Sequence, residues 1–173
     1  MNLIFRFLWM MLRVHLGPRD TDLLTTGEMT FRCWPHDLDI NLHMTNSRYN
    51  SFMDIGRIGF MFRHGGWSKI RKAGLFPVLG SIATRYRRPV NPFQKFTVTT
   101  RVVSWDRRWL YMEQKIIAGG QTASVALCKV LFIGKGQRVT TDELLGVIGY
   151  TGPRPDFPET LSTYDKLDSL LVA

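Results

Sequence analysis

Residues 80–136, GSIATRYRRPVNPFQKFTVTTRVVSWDRRWLYMEQKIIAGGQTASVALCKVLFIGKG, restrict the fold more than any other part of the chain. β-Branched and aromatic side chains lose rotamer freedom in a helix and pack well on a pleated surface, so this density predicts strands. Turn signals at Asn91-Pro92, Trp105-Asp106-Arg107 and Gly119-Gly120 divide the run into four strands, predicted to form an antiparallel meander. Pro89 and Pro92 cannot donate to a ladder and belong at a bend or an edge.

Such a sheet leaves an apolar face that another element must cover. One long helix is available. From about Asn46 the residues Tyr49, Phe52, Met53, Ile55, Gly56, Phe60 and Met61 recur at helical spacing, until the RHGGW segment at 63–67 stops them. Gly56 and Gly59 each cost about 1 kcal/mol of helix propensity relative to Ala, which predicts close packing of something against that helix. Upstream, past a break at Gly17-Pro18, Met29, Phe31 and Cys33 alternate with Thr30, Arg32 and Trp34 in a strand ended by Pro35. Downstream, residues 140–149 predict a short helix capped by Thr140 or Thr141, and 150–173 read as a surface tail. The order is α+β: a curved antiparallel sheet wrapped around one long central helix.

With 173 residues, 45% of them hydrophobic, the chain suits a single domain, 1–173, with its core at about 28–135. Aromatic residues at 12% and charged residues at 21% argue against wholesale disorder. A formal net charge of +9 favours an anionic partner. No helix-turn-helix cue, zinc-finger spacing or RNA-binding aromatic signature accompanies that charge, so nucleic acid is not the expected one. Cys33 and Cys128 lie far apart, without CxxC or zinc spacing, and read as reduced core thiols.

Residues 1–17, MNLIFRFLWMMLRVHLG, predict an apolar helix. Arg6 and Arg13 interrupt it, so no stretch approaches the roughly 20 apolar residues of a spanning helix. No convincing small-x-small cleavage site follows it. Asn2, Arg6 and Arg13 fall on one narrow face and Phe5, Phe7, Leu8, Met11 and Leu12 cover the rest, with Trp9 and the arginines suited to a lipid headgroup zone. Two readings stay open: peripheral membrane contact of a cytoplasmic protein through residues 1–16, or a helix packed on its own domain or a second subunit.

The stretch DLDINLHMTNSRYNSFMDIGR, residues 37–57, concentrates polar chemistry. Taken singly, each residue has an ordinary role. Asp39 suits a turn, Asp37 a solvated or structural position, Asn46 a helix cap and Tyr49 the core, while Asp54 and Arg57 are three apart and suit an intrahelical pair.

Jointly, Asp39, His43, Asn46, Tyr49, Asp54 and Arg57 resemble the signature D-x-x-G-H-V-N-N-x-x-Y, followed by an acid and an Arg in the helix, of the 4-hydroxybenzoyl-CoA thioesterase group of hotdog proteins. DLDINLHMTNSRY, with the later NPF and SWDRRWLY, is similar to the thioesterase superfamily member six type of that group. The resemblance covers about residues 28 to 135. Leu42 stands where the pattern has Gly, and Thr45 where it has the first Asn.

The resemblance implies a hotdog fold and hydrolysis of a fatty or aromatic acyl thioester carried by CoA or an acyl carrier. Coenzyme A would be part of the substrate, with no separate cofactor and no metal. Asp39 would be general base or nucleophile, and Asp54 is a second candidate. Backbone amides around Thr45, Asn46 and Ser47 would hold the oxyanion at the helix start, with His43 and Tyr49 positioning substrate. Arg85, Arg87, Arg88 and Lys95 are candidates for the CoA phosphates, alternation placing Arg85 and Arg87 on the face opposite Tyr86 and Arg88. A homodimer or dimer of dimers with sites at the subunit interface is expected. Two rivals remain. Asp39 and His43 resemble the hydratase motif D-x-N-P-[LI]-H of the MaoC type, but the proline is missing and the histidine is one position early. The other rival is a non-catalytic acyl-CoA-binding or membrane-associated hotdog protein, altered at Leu42 and Thr45.

Overall fold

A computed structural model of the chain describes residues 2–17, 22–64 and 66–170. Pro18 and Gly65, read above as breaks, lie outside the described residues, as do residues 171–173 and the side chain of Asn2.

Strands β1 (Gly27–Arg32), β2 (Leu75–Tyr86), β3 (Lys95–Trp105), β4 (Leu110–Ala118) and β5 (Gln121–Gly134) form one antiparallel sheet in the order β1-β3-β4-β5-β2. A short β6 (Gln137–Val139) adds to β5. Met29, Phe31 and Cys33 are buried, as the alternation around β1 requires. β3, β4 and β5 make the expected meander, whereas β2 lies not beside β3 but at the far edge, paired with β5. The connection 87–94 carries Pro89 and Pro92 and makes no tight hairpin. It is instead pinned to the start of the central helix, where Val90 receives Met44 N–H at 2.9 Å and donates its own N–H to Tyr49 Oη at 3.1 Å.

That helix, α2 (Asn46–Arg63), buries Tyr49, Phe52, Met53, Ile55 and Phe60 against the sheet. A Cβ built on Gly56 would stand 2.8 Å from Val98 Cγ1, so strand β3 sits where only glycine leaves room. Gly59 is similarly crowded by Met29 and Met10. α1 (Asn2–Leu16) packs on the same core through Met10 and Val14. No helix among the described residues is long and apolar enough to cross a membrane.

Two short helices close the other end, α3 (Gly66–Lys72) and α4 (Thr141–Ile148). Thr140 caps α4 in a reciprocal arrangement with Glu143. Residues 159–170, read above as part of a surface tail, form a further helix, α5 (Glu159–Leu170), with Leu161 and Tyr164 buried. Its anchor is Lys129 of β5, buried on the face opposite Cys128 and paired with Asp168 at 2.8 Å and with Asp165. Periodicity alone missed α5 because its hold on the sheet is ionic as much as apolar.

Candidate active site

Residues 37–45 form a closed loop between β1 and α2. Leu38 and Met44 bridge as in a strand pair, Asp39 N–H reaches His43 O at 3.0 Å, and Thr45 N–H reaches Asp37 O at 2.9 Å. Within the loop Leu42 adopts φ 60°, the left-handed region that favours glycine. This explains why a glycine suits the position in the motif that Leu42 departs from. The exposed Leu42 side chain fills no pocket that would repay the strain.

Asp37 and Asp39 precede α2, Asp54 lies within it, and the surroundings of the three differ. Asp37 has no exposed surface and is structural, not solvated. Its oxygens receive Arg6 at 2.9 and 2.5 Å and Trp34 N–H at 2.9 Å, with Arg48 3.5 Å away. Asp54 is 64% exposed and pairs with Arg57. Arg57 is itself buried and donates to Gln114 Oε1 at 2.5 Å, while Gln114 Nε2 holds Met53 O at 2.8 Å and Thr100 Oγ1 at 2.9 Å. The intrahelical pair expected of Asp54 and Arg57 is present, extended into the sheet by Gln114. Asp39, its side chain 29% exposed, has no guanidinium partner among the described residues. It accepts Asn41 N–H at 2.8 Å, and His43 Nδ1 lies 3.6 Å away. Of the three, Asp39 is the carboxylate that no arginine holds among the described residues.

The helix start lies directly beyond. Thr45, not Asn46, occupies the cap position, and its side chain makes no cap hydrogen bond. The exposed residues Asn46 and Ser47 open the first turn, whose N–H groups point out of the helix with its partial positive charge. Tyr49 is buried: its hydroxyl donates to Arg88 O at 3.3 Å, and burial holds the phenol above its ordinary pKa, so it stays neutral and positions the 88–90 segment. Tyr86 Oη donates to Asn46 O at 3.4 Å and Thr84 Oγ1 to Asn50 Oδ1 at 3.1 Å. These contacts bring the exposed Arg85, Arg87 and Arg88 to the same end of α2. Strand alternation ends at Tyr86, so the facing expected for Arg87 and Arg88 does not apply. Lys95 is not gathered with them; it lines a separate groove beside α1.

A cavity of about 430 Å3 opens beside the second half of α2, walled by Phe60, Met61, Ile70, Leu110, Met112 and Val130. Asp54, Arg57 and His64 are its polar residues on α2 and at its end. His64 stacks on Phe60 at 3.9 Å, its Nδ1 lies 2.8 Å from Phe60 O, and its buried Nε2 has no partner among the described residues. Sequence reasoning singled out neither this cavity nor Asp37's burial. No local signal marked either one, because the cavity joins residues distant in sequence and Asp37 is held by Arg6 of another element.

The profile of the Thioesterase-like superfamily matches residues 33–163. Protein THEM6 of Xenopus laevis is 33% identical over 107 residues, which are 62% of this chain and 52% of that protein. The chain therefore spans about half the length of that curated relative. Among solved structures, the probable thioesterase YbaW of Escherichia coli superposes with a TM-score of 0.66 at 20% identity, covering 70% of this chain and 95% of that one. Protein SAV2348 of Staphylococcus aureus, solved in complex with CoA, superposes with a TM-score of 0.62 at 18% identity, covering 82% and 95%. The curled antiparallel sheet around a central helix is the hotdog fold.

Proposed function

The chain belongs to the Thioesterase-like superfamily, and from that premise we propose that it hydrolyses an acyl thioester, with acyl-CoA as the substrate class. The observation that carries the residue assignment is the position of Asp39, an accessible carboxylate without a guanidinium partner among the described residues, in a closed loop beside a helix start whose cap residue makes no side-chain hydrogen bond. Asp39 acts on the thioester carbonyl either by taking a proton from water or by direct attack, and the carbonyl oxygen becomes an oxyanion. Backbone N–H groups of Asn46 and Ser47 meet that charge, helped by the end of α2. The C–S bond then breaks and the thiolate takes a proton. Where water attacked, the acid leaves directly; where Asp39 attacked, water must first hydrolyse the mixed anhydride formed on Asp39 to release the acid and restore the carboxylate. His43, 3.6 Å from Asp39, keeps the carboxylate oriented.

The apolar walls of the cavity suit an acyl chain, and exposed Arg85, Arg87 and Arg88 suit the phosphates of CoA. Loop 37–45 and the cavity lie at opposite halves of α2 in one chain. β2 is an edge strand with exposed Phe76, Val78 and Leu79, and a second copy joined along it would remove that edge and let two protomers share a site. Asp54, at the cavity, is the alternative carboxylate. Free-thiol release from short, long and aromatic acyl-CoAs tests the reading. Turnover on at least one is expected; saturable binding with no release from any would make the protein an acyl-CoA binder instead.

A further inference from the structure

α1 meets the rest of the protein through Arg6, Met10 and Val14, while Arg13 stays exposed. Arg6 points inward to the buried Asp37, and Met10 and Val14 enter the core. The opposite face is apolar and exposed: Ile4, Leu8, Leu12 and Leu16 form a stripe at four-residue spacing, widened by Phe5 and Trp9. Of the narrow polar face read from the sequence, Arg6 turns inward while Arg13 stays exposed at the edge of the apolar stripe. An exposed apolar stripe of this length on a folded surface marks an interaction site.

Phe5 and Trp9 also line a groove of about 680 Å3 between α1 and β1, together with Arg13, Arg32, Arg63 and Lys95. None of these four cations has a carboxylate within ion-pair distance among the described residues, and Glu28 is the single acid in the lining. Arg13 instead lies over the Trp9 ring at 4.6 Å. An apolar ridge flanked by unpaired cations complements an anionic lipid surface: acyl chains for the ridge, phosphates for the groove. A second copy of a chain of net charge +9 would set the same cations against each other.

We propose that the outer face of α1 docks on an anionic bilayer, with Ile4, Phe5, Leu8, Leu12 and Leu16 in the acyl boundary and Arg13, Arg32, Arg63 and Lys95 on headgroup phosphates. The proposal does not rest on the hydrolytic reading. Deleting α1 is a poor test, because Met10, Val14 and the Arg6–Asp37 pair belong to the fold. Substitutions on the outer face avoid this: Leu8 and Leu12 are 57% and 56% exposed.

The test is flotation of the full chain with vesicles of phosphatidylcholine alone or mixed with phosphatidylglycerol. Wild type, Leu8→Asn/Leu12→Asn and Arg13→Gln/Arg63→Gln are compared, with thermal melting and light scattering on each. The wild type is expected to float with the mixed vesicles only. Each double variant is expected to lose about tenfold or more in binding while melting like the wild type. Failure of the wild type to float, or flotation of Leu8→Asn/Leu12→Asn at the wild-type level, overturns the proposal. A wild-type oligomer that Leu8→Asn/Leu12→Asn dissociates would assign the stripe to a second copy and overturn it as well. So would thermal stabilisation by inorganic phosphate with no vesicle binding, which would assign the groove to a free anion.

Discussion

Arg6 and Asp37, 31 residues apart, form a two-pronged ion pair in which the carboxylate has no exposed surface. The pair ties α1 to the loop that carries Asp39. Removing one partner of a buried pair leaves a charge that neither water nor protein satisfies. Arg6→Leu should therefore destabilise the protein by about 3 kcal/mol, softened to the extent that Arg48 closes on Asp37. Urea unfolding checks this, and a loss below about 0.5 kcal/mol would mean that Arg48 and Trp34 N–H hold Asp37 unaided.

Leu42 predicts the opposite sign. Its φ of 60° strains a branched residue, and its side chain is exposed. Leu42→Gly relieves about 1 kcal/mol of backbone strain against a similar entropic cost in the unfolded chain. The expected melting temperature is equal to or above that of the wild type. The same substitution at the neighbouring exposed Ile40, which has no positive φ, should lower it. A clear loss at Leu42 would show that its side chain makes contacts beyond this single chain.

Gly56 tests how α2 seats on the sheet. Gly56→Ala improves helix propensity yet drives a methyl to 2.8 Å from Val98. The clash should win by about 1–3 kcal/mol, because β3 is a central strand and cannot retreat. Equilibrium unfolding of Gly56→Ala beside a Val98→Ala/Gly56→Ala double variant separates the terms: the second substitution should recover part of the loss.

Lys129 and α5 carry a pH dependence. Hydrogen bonds from Lys129 hold the carboxyls of Asp165 and Asp168 below the ordinary aspartate range. Burial alone would lower the Lys129 ammonium, but the same two carboxylates outweigh it and raise its pKa. For the depressed carboxyls, the stabilisation is fully present above the unfolded aspartate value, about 3.9, and disappears as pH falls through the lower folded values. For the raised ammonium it is present below the unfolded lysine value and disappears as pH rises through the folded one. Lys129→Ala should cost about 1–3 kcal/mol at neutral pH, discounted because Asp165 is half exposed. Proteolysis within α5 should rise in the variant at pH 7 but converge with the wild type at acid pH. An unchanged cleavage rate at pH 7 would mean that Leu161 and Tyr164 alone dock the helix.

The elements legible in the sequence were those written in local periodicity. The alternation at Met29, Phe31 and Cys33, the spacing from Tyr49 to Phe60 and the Thr140 cap each needed only a few neighbouring residues, and each stands as expected. What escaped was long-range. β2 and β5 pair at Ile82 and Cys128, and no local signal says that β2 crosses to the far edge. Asp37 read as either solvated or structural because its partner Arg6, which decides for structural, lies in another element, and α5 looked like a tail because its anchor is a strand lysine. Within the site, the turn at Asp39 and the helix start could be placed from residue types. That Asp54, not Asp39, borders the apolar cavity could not, since the cavity is assembled from α2, α3, β4 and β5.

The central claim is that Asp39 is the carboxylate that acts on the thioester. It is tested most directly by single-turnover thiol release from an acyl-CoA that the wild type hydrolyses, comparing Asp39→Asn with Asp54→Asn at matched folded fraction. A nucleophile or general base removed as the isosteric amide should slow the chemical step by about 100-fold or more. That loss is predicted for Asp39→Asn, with Asp54→Asn keeping most of the wild-type rate. Full activity in Asp39→Asn with loss in Asp54→Asn would contradict the account and move the chemistry to the carboxylate beside the cavity.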